Sequence, residues 1–380
     1  MKYCLCSYSW ISFDPPVLNL GRVLGARGHT VVAVGICRPG DAVDETVSRG
    51  FSIRRLSCLG SNVYDRGLVA GLRYVVKVCR LANTIRPDYY IAYNWNSFLA
   101  AVVARKVCRA PIVYMQTEYN DRRRGASANS RYAARLLLWL EKRYIKDAAA
   151  IFSAEPNRSR LMCTDYGLCE PPIAIYNAPL LCTYSGAAKR QRGDKLRVVF
   201  LGAISEEAGL RIVLRAFALK PVDAILHLYG LVRPAFKDEF QTLLADVRAA
   251  GNDVEYRCTV PYDRVPALLQ EYEVGLISYQ PHHINQYYCS PAKLFEYIAA
   301  GLALVTPDYP GLREIIRPPR LGLCVDPTDP LALADAIGVL ASERDETLLM
   351  GERARSDFEE KFNFERQAAP LLEALSGGLG

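Results

Sequence analysis

A chain of 380 residues, 51% hydrophobic and 23% charged, is too long for one ordinary domain and has the composition of globular protein throughout. No run of about 18 apolar residues interrupts it, so no transmembrane helix is expected. The net charge of +7 hides an asymmetry: residues 1–185 carry 25 Lys/Arg against 13 Asp/Glu, residues 186–380 carry 22 against 27, which points to two domains with different partners.

Residues 1–8 alternate like a first strand and lack the long apolar run and small-residue cleavage site of a secretory leader. Residues 2–9 read as a strand, 17–27 as a helix with Gly28 past its end, and 30–36 as the next strand. The loop after the first strand, Trp10 to Pro16, holds no Gly-x-Gly-x-x-Gly, which argues against NAD or FAD. Arg66, Arg73, Lys77 and Arg80 then recur at helical spacing. A strand at 89–93, a helix at 98–108, a strand at 111–115, a helix at 131–146 and a strand at 149–153 complete the first half. Strands alternating with helices give an α/β fold with a parallel sheet covered on both faces.

A polar stretch at 184–194 reads as a linker. A second α/β series follows, with strands at 196–202, 225–229, 254–257 and 274–278, and residues 330–375 are mostly helical. Twelve cysteines lie scattered through apolar segments with no Cys-x-x-Cys, as expected of free thiols in a reducing cytosol. His282 and His283 have no third ligand at metal spacing, so no metal is expected there.

The most informative run is Ser290-Pro291-Ala292-Lys293-Leu294-Phe295-Glu296-Tyr297-Ile298-Ala299-Ala300-Gly301. Ser290 suits an N-cap, Pro291 the first helical position and Gly301 the stop, with residues 303–306 as a buried strand ending at Pro307. Lys293 and Glu296 share one face of the first turns. A helix N-terminus with a lysine beside it suits phosphate, and a carboxylate one turn on can accept from ribose hydroxyls. Spacing alone also fits an ordinary buried helix with one Lys–Glu pair on its rim.

With Pro310-Gly311-Leu312-Arg313-Glu314-Ile315-Ile316 after it, this run resembles the donor-site signature of GT-B glycosyltransferases, family-4-like, followed by their Pro-Gly-x-x-Glu-Ile loop. The resemblance covers most of the chain and is tightest over residues 288–316. It implies two Rossmann-like domains: an acceptor-binding one at 1–185, a nucleotide-sugar-binding one at 186–360, and a final helix at 361–380 packing back on the first. It also implies that Lys293 binds the donor phosphates, Glu296 the ribose, and Gly202 lets backbone approach the diphosphate, with Ser290 and Pro291 opening the helix and Val260 and Tyr262 holding the base. No cofactor and no catalytic metal are expected, and retention of anomeric configuration is.

Four positions depart from that family's pattern. Ala203 and Ala208 stand where Arg and Lys are common, so the phosphates would rest on Lys293, the helix N-terminus and Arg211. Tyr288 stands where an acid meets the donor sugar. Thr117 replaces the histidine of a His-Glu pair whose glutamate, Glu118, is kept.

Glu118 lies just past a strand's C-terminal end, where α/β ligands bind. It reads either as an acid/base or orienting group or as a solvated loop carboxylate. Asp14, Asn94 and Asn96 follow first-domain strands and read as acceptor contacts or as turn formers. Arg122, Arg123 and Arg124 sit in a loop on the acceptor side. The segment 131–144 pairs basic residues with Trp139 and leucines, which suits an anionic membrane surface or a buried helix with a basic rim.

The sequence thus reads as a hexosyltransferase-class enzyme moving a sugar from a UDP- or GDP-sugar to a glycan or lipid-linked acceptor in bacterial polysaccharide synthesis. It is expected in the cytoplasm with peripheral contact to the inner membrane face, and without nucleic acid as a partner. Two alternatives stay open: a catalytically silent nucleotide-sugar binder, and a basic membrane or nucleic-acid adaptor on the same scaffold.

Overall fold

Residues 2–10 are buried on both faces over most of their length, the pattern of a central strand in a parallel sheet. The computed structural model describes residues 1–38, 40–57, 68–119, 128–184, 193–219 and 222–377. By its internal contacts the chain divides into two units, Met1–Ile175 with Ala368–Gly380, and Tyr176–Gln367.

In the first unit β1 (Lys2–Trp10), α1 (Pro15–Ala26) and β2 (Thr30–Ile36) form the opening crossover, followed by β3 (Asp44–Ser48) and β4 (Phe51–Leu56). Then come α2 (Leu68–Ile85), β5 (Tyr89–Tyr93), α3 (Asn94–Ala104), β6 (Ile112–Gln116), α4 (Ala128–Tyr144), β7 (Ala150–Ser153), α5 (Pro156–Tyr166) and β8 (Ile173–Ala174). The sheet order is β3-β4-β2-β1-β5-β6-β7-β8; among the described residues only β3 runs antiparallel to its neighbour. From β1 the chain steps to β2 on one side, while β5 lies on the other. That reversal leaves a crevice at the strands' carboxyl ends, the usual place for an α/β ligand.

The second unit runs β9 (Leu196–Leu201), α6 (Leu210–Leu219), β10 (Ala224–Tyr229), α7 (Lys237–Ala249), β11 (Asp253–Arg257), α8 (Val265–Leu269) and β12 (Val274–Leu276). It continues through α9 (Ile284–Tyr287), α10 (Ala292–Ala300), β13 (Ala303–Pro307), α11 (Pro310–Ile316), β14 (Gly322–Val325), α12 (Pro330–Ser342), α13 (Arg344–Asp357) and α14 (Phe364–Gln367). A last helix, α15 (Ala369–Ser376), falls in the first unit. The six strands are ordered β11-β10-β9-β12-β13-β14, all parallel, with β9 at the reversal. One apolar core lies under α6, α7 and α12, a second under α10, α11 and α13.

Several expectations shift. Pro291 has extended backbone (φ −69°, ψ 147°) and is itself the N-cap, so α10 starts at Ala292, two residues after Ser290. The Pro-Gly-x-x-Glu-Ile segment is the helix α11 and not a loop. α3 begins at Asn94, directly after β5, and ends at Ala104. Of the expected linker, residues 185–192 lie outside the described residues, as do Arg66 and Arg122, Arg123 and Arg124.

Candidate functional site

The end of β9 is shaped by backbone. Gly202 adopts φ +136° and Gly230, at the end of β10, φ +153°. A Cβ on Gly230 would stand 1.7 Å from the Gly202 carbonyl oxygen, so two strand ends touch in a conformation open to glycine alone. The loops beyond are tied together, Ile204 N–H donating to the Leu231 carbonyl and Arg233 N–H to that of Ile204.

Against this strand end α10 delivers Lys293. Its side chain is buried, and Nζ donates to the Leu201 carbonyl at 3.0 Å. The amine lies 4.2 Å from the Phe200 ring centroid and 4.5 Å from that of Tyr279. Burial pulls its pKa down to about 7, against the opposing influence of Cys289 and Glu296. Aromatic faces and one carbonyl compensate little of the lost hydration of an ammonium ion, and among the described residues it forms no ion pair. Such a group favours an anion.

Glu296, one turn on, is buried too. Burial lifts it to about 7, while a hydrogen bond from Tyr262 and the Lys293 charge act the other way. Tyr262 itself is half exposed, so its ring and the carboxylate are presented together; Val260 is partly buried against the second core. Ser290 is buried just before the helix cap. Tyr297 fixes the helix: its hydroxyl accepts from Leu201 N–H at 2.9 Å, and its ring fills the space a Cβ on Gly275 would occupy.

Arg211 does not join this group. It pairs with Glu206 and, through two nitrogens, with Glu239, so the expectation that it shares an anion with Lys293 is corrected. Ala208 is buried; its N–H donates to Ser205 Oγ and its carbonyl accepts from Ser278 Oγ. Tyr288 belongs to an aromatic cluster: Tyr287 lies 4.9 Å from it and 5.2 Å from Tyr309, whose hydroxyl donates to the Tyr279 carbonyl. Among the described residues no group of three His, Cys, Asp or Glu side chains could hold a metal ion.

In the first unit, residues after β5 and β6 bond to one another beyond the strands' carboxyl ends, while Asp14, after β1, bonds back to its own strand. Asp14 Oδ2 accepts from Ser7 Oγ at 2.6 Å and from Ser9 Oγ; burial raises its pKa against these bonds. Asn94 sits at φ +58°. Its Oδ1 accepts from Thr117 N–H at 2.9 Å, Thr117 Oγ1 at 3.0 Å and Glu118 N–H at 3.1 Å. Asn94 therefore holds the segment that carries the exposed Glu118. Arg158 supports it from below, donating to the Thr117 carbonyl at 2.9 Å.

One functional support escaped sequence reasoning. Glu141 is fully buried and accepts from Tyr114 Oη, Gln116 Nε2 and Tyr166 Oη, which ties α4 to β6 and α5. Its helical phase with Leu138 and Ile145, both buried, was the available signal.

Two parallel-sheet α/β units, the second bearing a buried lysine at its strand-order reversal, define the architecture of a two-domain group-transfer protein of the GT-B kind. The Glycosyl transferase 4-like domain matches residues 15–161 and the Glycosyl transferases group 1 domain residues 195–343; the chain belongs to this GT-B glycosyltransferase family. Sucrose-phosphate synthase from Thermosynechococcus elongatus superposes with a TM-score of 0.81 at 17% identity over 99% of this chain and 98% of that one. HepE of Anabaena, solved with UDP and glucose, does so with a TM-score of 0.74 at 16% identity over 100% of both. An Escherichia coli K12 protein, WcaL, provisionally named a colanic acid biosynthesis glycosyltransferase, is 24% identical over 184 residues, 47% of this chain and 45% of that protein. No helix among the described residues is long and apolar enough to cross a membrane.

Proposed function

We propose that the protein transfers a hexosyl group from a nucleoside-diphosphate sugar to a hydroxyl of a polysaccharide or glycoconjugate acceptor. The observation that carries this reading is Lys293, buried against Gly202 and Phe200 with a carbonyl as its hydrogen-bond acceptor. A diphosphate there would accept from Lys293 and the free N–H groups of α10, and Glu296 would take the ribose hydroxyls.

In the transfer, the bond between the sugar's anomeric carbon and the diphosphate oxygen breaks, and a bond to the acceptor oxygen forms. The acceptor hydroxyl loses its proton, and the nucleoside diphosphate leaves. Negative charge grows on the leaving diphosphate beside the buried Lys293, where a cation is worth more than in bulk solvent. Glu118, held by Asn94, is the candidate to orient the acceptor hydroxyl or take its proton. We assign retention of configuration, no metal requirement, and a lipid-linked or membrane-surface acceptor met through the basic first unit. WcaL's name supports a role in polysaccharide synthesis, and HepE's complex with UDP and glucose supports a UDP-sugar donor.

The test is calorimetric and thermal-shift binding of UDP, GDP and ADP and their sugars, to wild type and to Glu296→Ala. One nucleotide bound by wild type and lost in the variant supports the donor site. Binding of none overturns it. Binding without transfer or donor hydrolysis favours the silent binder, for which the missing cations at Ala203 and Ala208 speak.

A further inference from the structure

Helices α2, α3, α4 and α5 cover one side of the first unit's sheet. The crossovers β4-α2-β5, β5-α3-β6 and β6-α4-β7 step across it in one direction, opposite to β1-α1-β2. Right-handed connections therefore put α2, α3 and α4 together on the side away from α1, and α3 packs against both α2 and α4.

The outer sides of α2 and α4 have an unusual make-up. Val69, Leu72 and Val76 on α2 are 61%, 58% and 49% exposed, and Leu136 and Trp139 on α4 are 58% and 60% exposed. Arg73, Arg80, Arg135 and Arg143 are exposed beside them. At 3.6 residues per turn, Val69, Leu72, Arg73, Val76 and Arg80 fall within an arc of about 100°, and so do Arg135, Leu136, Trp139 and Arg143. Across α2, α3 and α4 there is one carboxylate, Glu141, and it is turned fully inward onto Tyr114, Gln116 and Tyr166. A solvated face would mix charge signs and carry few large apolar groups. This one couples large apolar side chains to arginines, with no acid among them.

We propose that the outer faces of α2 and α4 form a docking surface for an anionic lipid bilayer. The valines, leucines and Trp139 enter the boundary between headgroups and acyl chains, and the guanidinium groups meet lipid phosphates. Nucleic acid would use the arginines but gain little from Val69, Leu72, Val76 and Leu136. The proposal rests on the membrane-surface reading of the acceptor for its purpose, yet lipid binding is measured without donor or acceptor, so either can fail alone.

The full chain is sedimented with phosphatidylcholine vesicles, with and without phosphatidylglycerol, at low and high salt. We expect binding about tenfold or more stronger to the anionic vesicles, weakened by salt, with a blue shift of tryptophan emission absent in Trp139→Phe. Replacing Leu72, Leu136 and Trp139 by Ser should lower vesicle binding about tenfold even at low salt; replacing the four arginines by Gln should abolish the preference for phosphatidylglycerol. Unchanged thermal melting shows that both variants fold. No vesicle binding, binding indifferent to both variants, or salt-sensitive binding to RNA or DNA that outcompetes the vesicles each overturns the proposal.

Discussion

A Cβ atom placed on Gly202 would lie 3.3 Å from Lys293 Nζ, so a strand end and a helix side chain from 91 positions later meet with no room between them. Gly202→Ala should therefore act twice, straining a backbone at φ +136° and displacing the amine. We expect a stability loss of about 1–3 kcal/mol and a fall in nucleotide affinity of about tenfold or more. Chemical denaturation and calorimetry on the same samples separate the two effects. An affinity equal to wild type would remove Gly202 from the site.

Lys293 and Glu296 should make stability depend on pH. Lys293, lowered to about 7 from the ordinary 10.5, binds fewer protons folded than unfolded between these values, so its contribution raises stability as pH climbs from about 7 towards 10.5. Glu296, raised to about 7 from 4.5, binds more protons folded, so its contribution lowers stability as pH climbs from about 4.5 to 7. The two slopes meet near neutrality, where the combined penalty is greatest. Against Lys293→Met/Glu296→Gln, wild type should be relatively least stable near pH 7 and should recover on both sides, as urea unfolding across pH will read.

Donor binding at the proposed site should reverse the preference. A diphosphate favours the protonated amine and ribose hydroxyls favour the carboxylate, so affinity should peak near pH 7. Lys293→Met should flatten the alkaline limb and Glu296→Gln the acid limb. Titrations in buffers of different ionisation enthalpy should show proton uptake on binding above pH 7, proton release below it and no net exchange at the peak. A pH-independent affinity in wild type would sink the assignment of both residues.

Asn94 offers a test confined to the first unit. Its side-chain oxygen takes three hydrogen bonds from Thr117 and Glu118 while its backbone sits at φ +58°, a region asparagine tolerates better than most residues. Asn94→Gly keeps the backbone and loses the bonds; Asn94→Ala loses both. We expect transfer to fall by about tenfold or more in each, with Ala the less stable by about 1 kcal/mol. Nucleotide affinity should stay at the wild-type value, since the proposed donor residues Lys293 and Glu296 lie in the other unit. Unimpaired transfer in Asn94→Gly would show that the Glu118 segment needs no such support.

Sequence patterning made most of the parallel strands legible, although Phe51–Leu56 and Gly322–Val325 went unread. Thr30–Ile36 and Tyr89–Tyr93 have the bounds that their composition indicates. Asp44–Ser48 went unread because it is a polar edge strand, largely exposed and paired only with Phe51–Leu56; its pattern carries no buried face. Proline misplaced the start of α10, since φ near −69° serves an N-cap and a first helical turn equally, and ψ decides. That Lys293 and Glu296 lie together in the first turns of α10 was legible from spacing. What Arg211 does was not: its partners Glu206 and Glu239 lie on a loop and on another helix, and nothing local indicates that they claim it.

Glu141 was also hidden, by being the sole acid of a basic helix. Three neutral donors from β6 and α5 bond to it, and these hydrogen bonds compensate part of the hydration the carboxylate loses on burial. Removing it leaves two tyrosine hydroxyls and an amide buried without an acceptor, while burial already pushes Tyr114 and Tyr166 well above their ordinary range. Glu141→Ala should therefore destabilise the first unit by about 2–4 kcal/mol, from unsatisfied groups and a cavity. Glu141→Gln, which keeps the shape and an acceptor oxygen, should lose about half of that. Because α4 carries Leu136 and Trp139, Glu141→Ala should also weaken vesicle binding, while nucleotide affinity of the second unit stays unchanged. Hydrogen exchange over residues 135–144 would read the loosened helix directly, and protection equal to wild type would show that α4 is held by its apolar side alone.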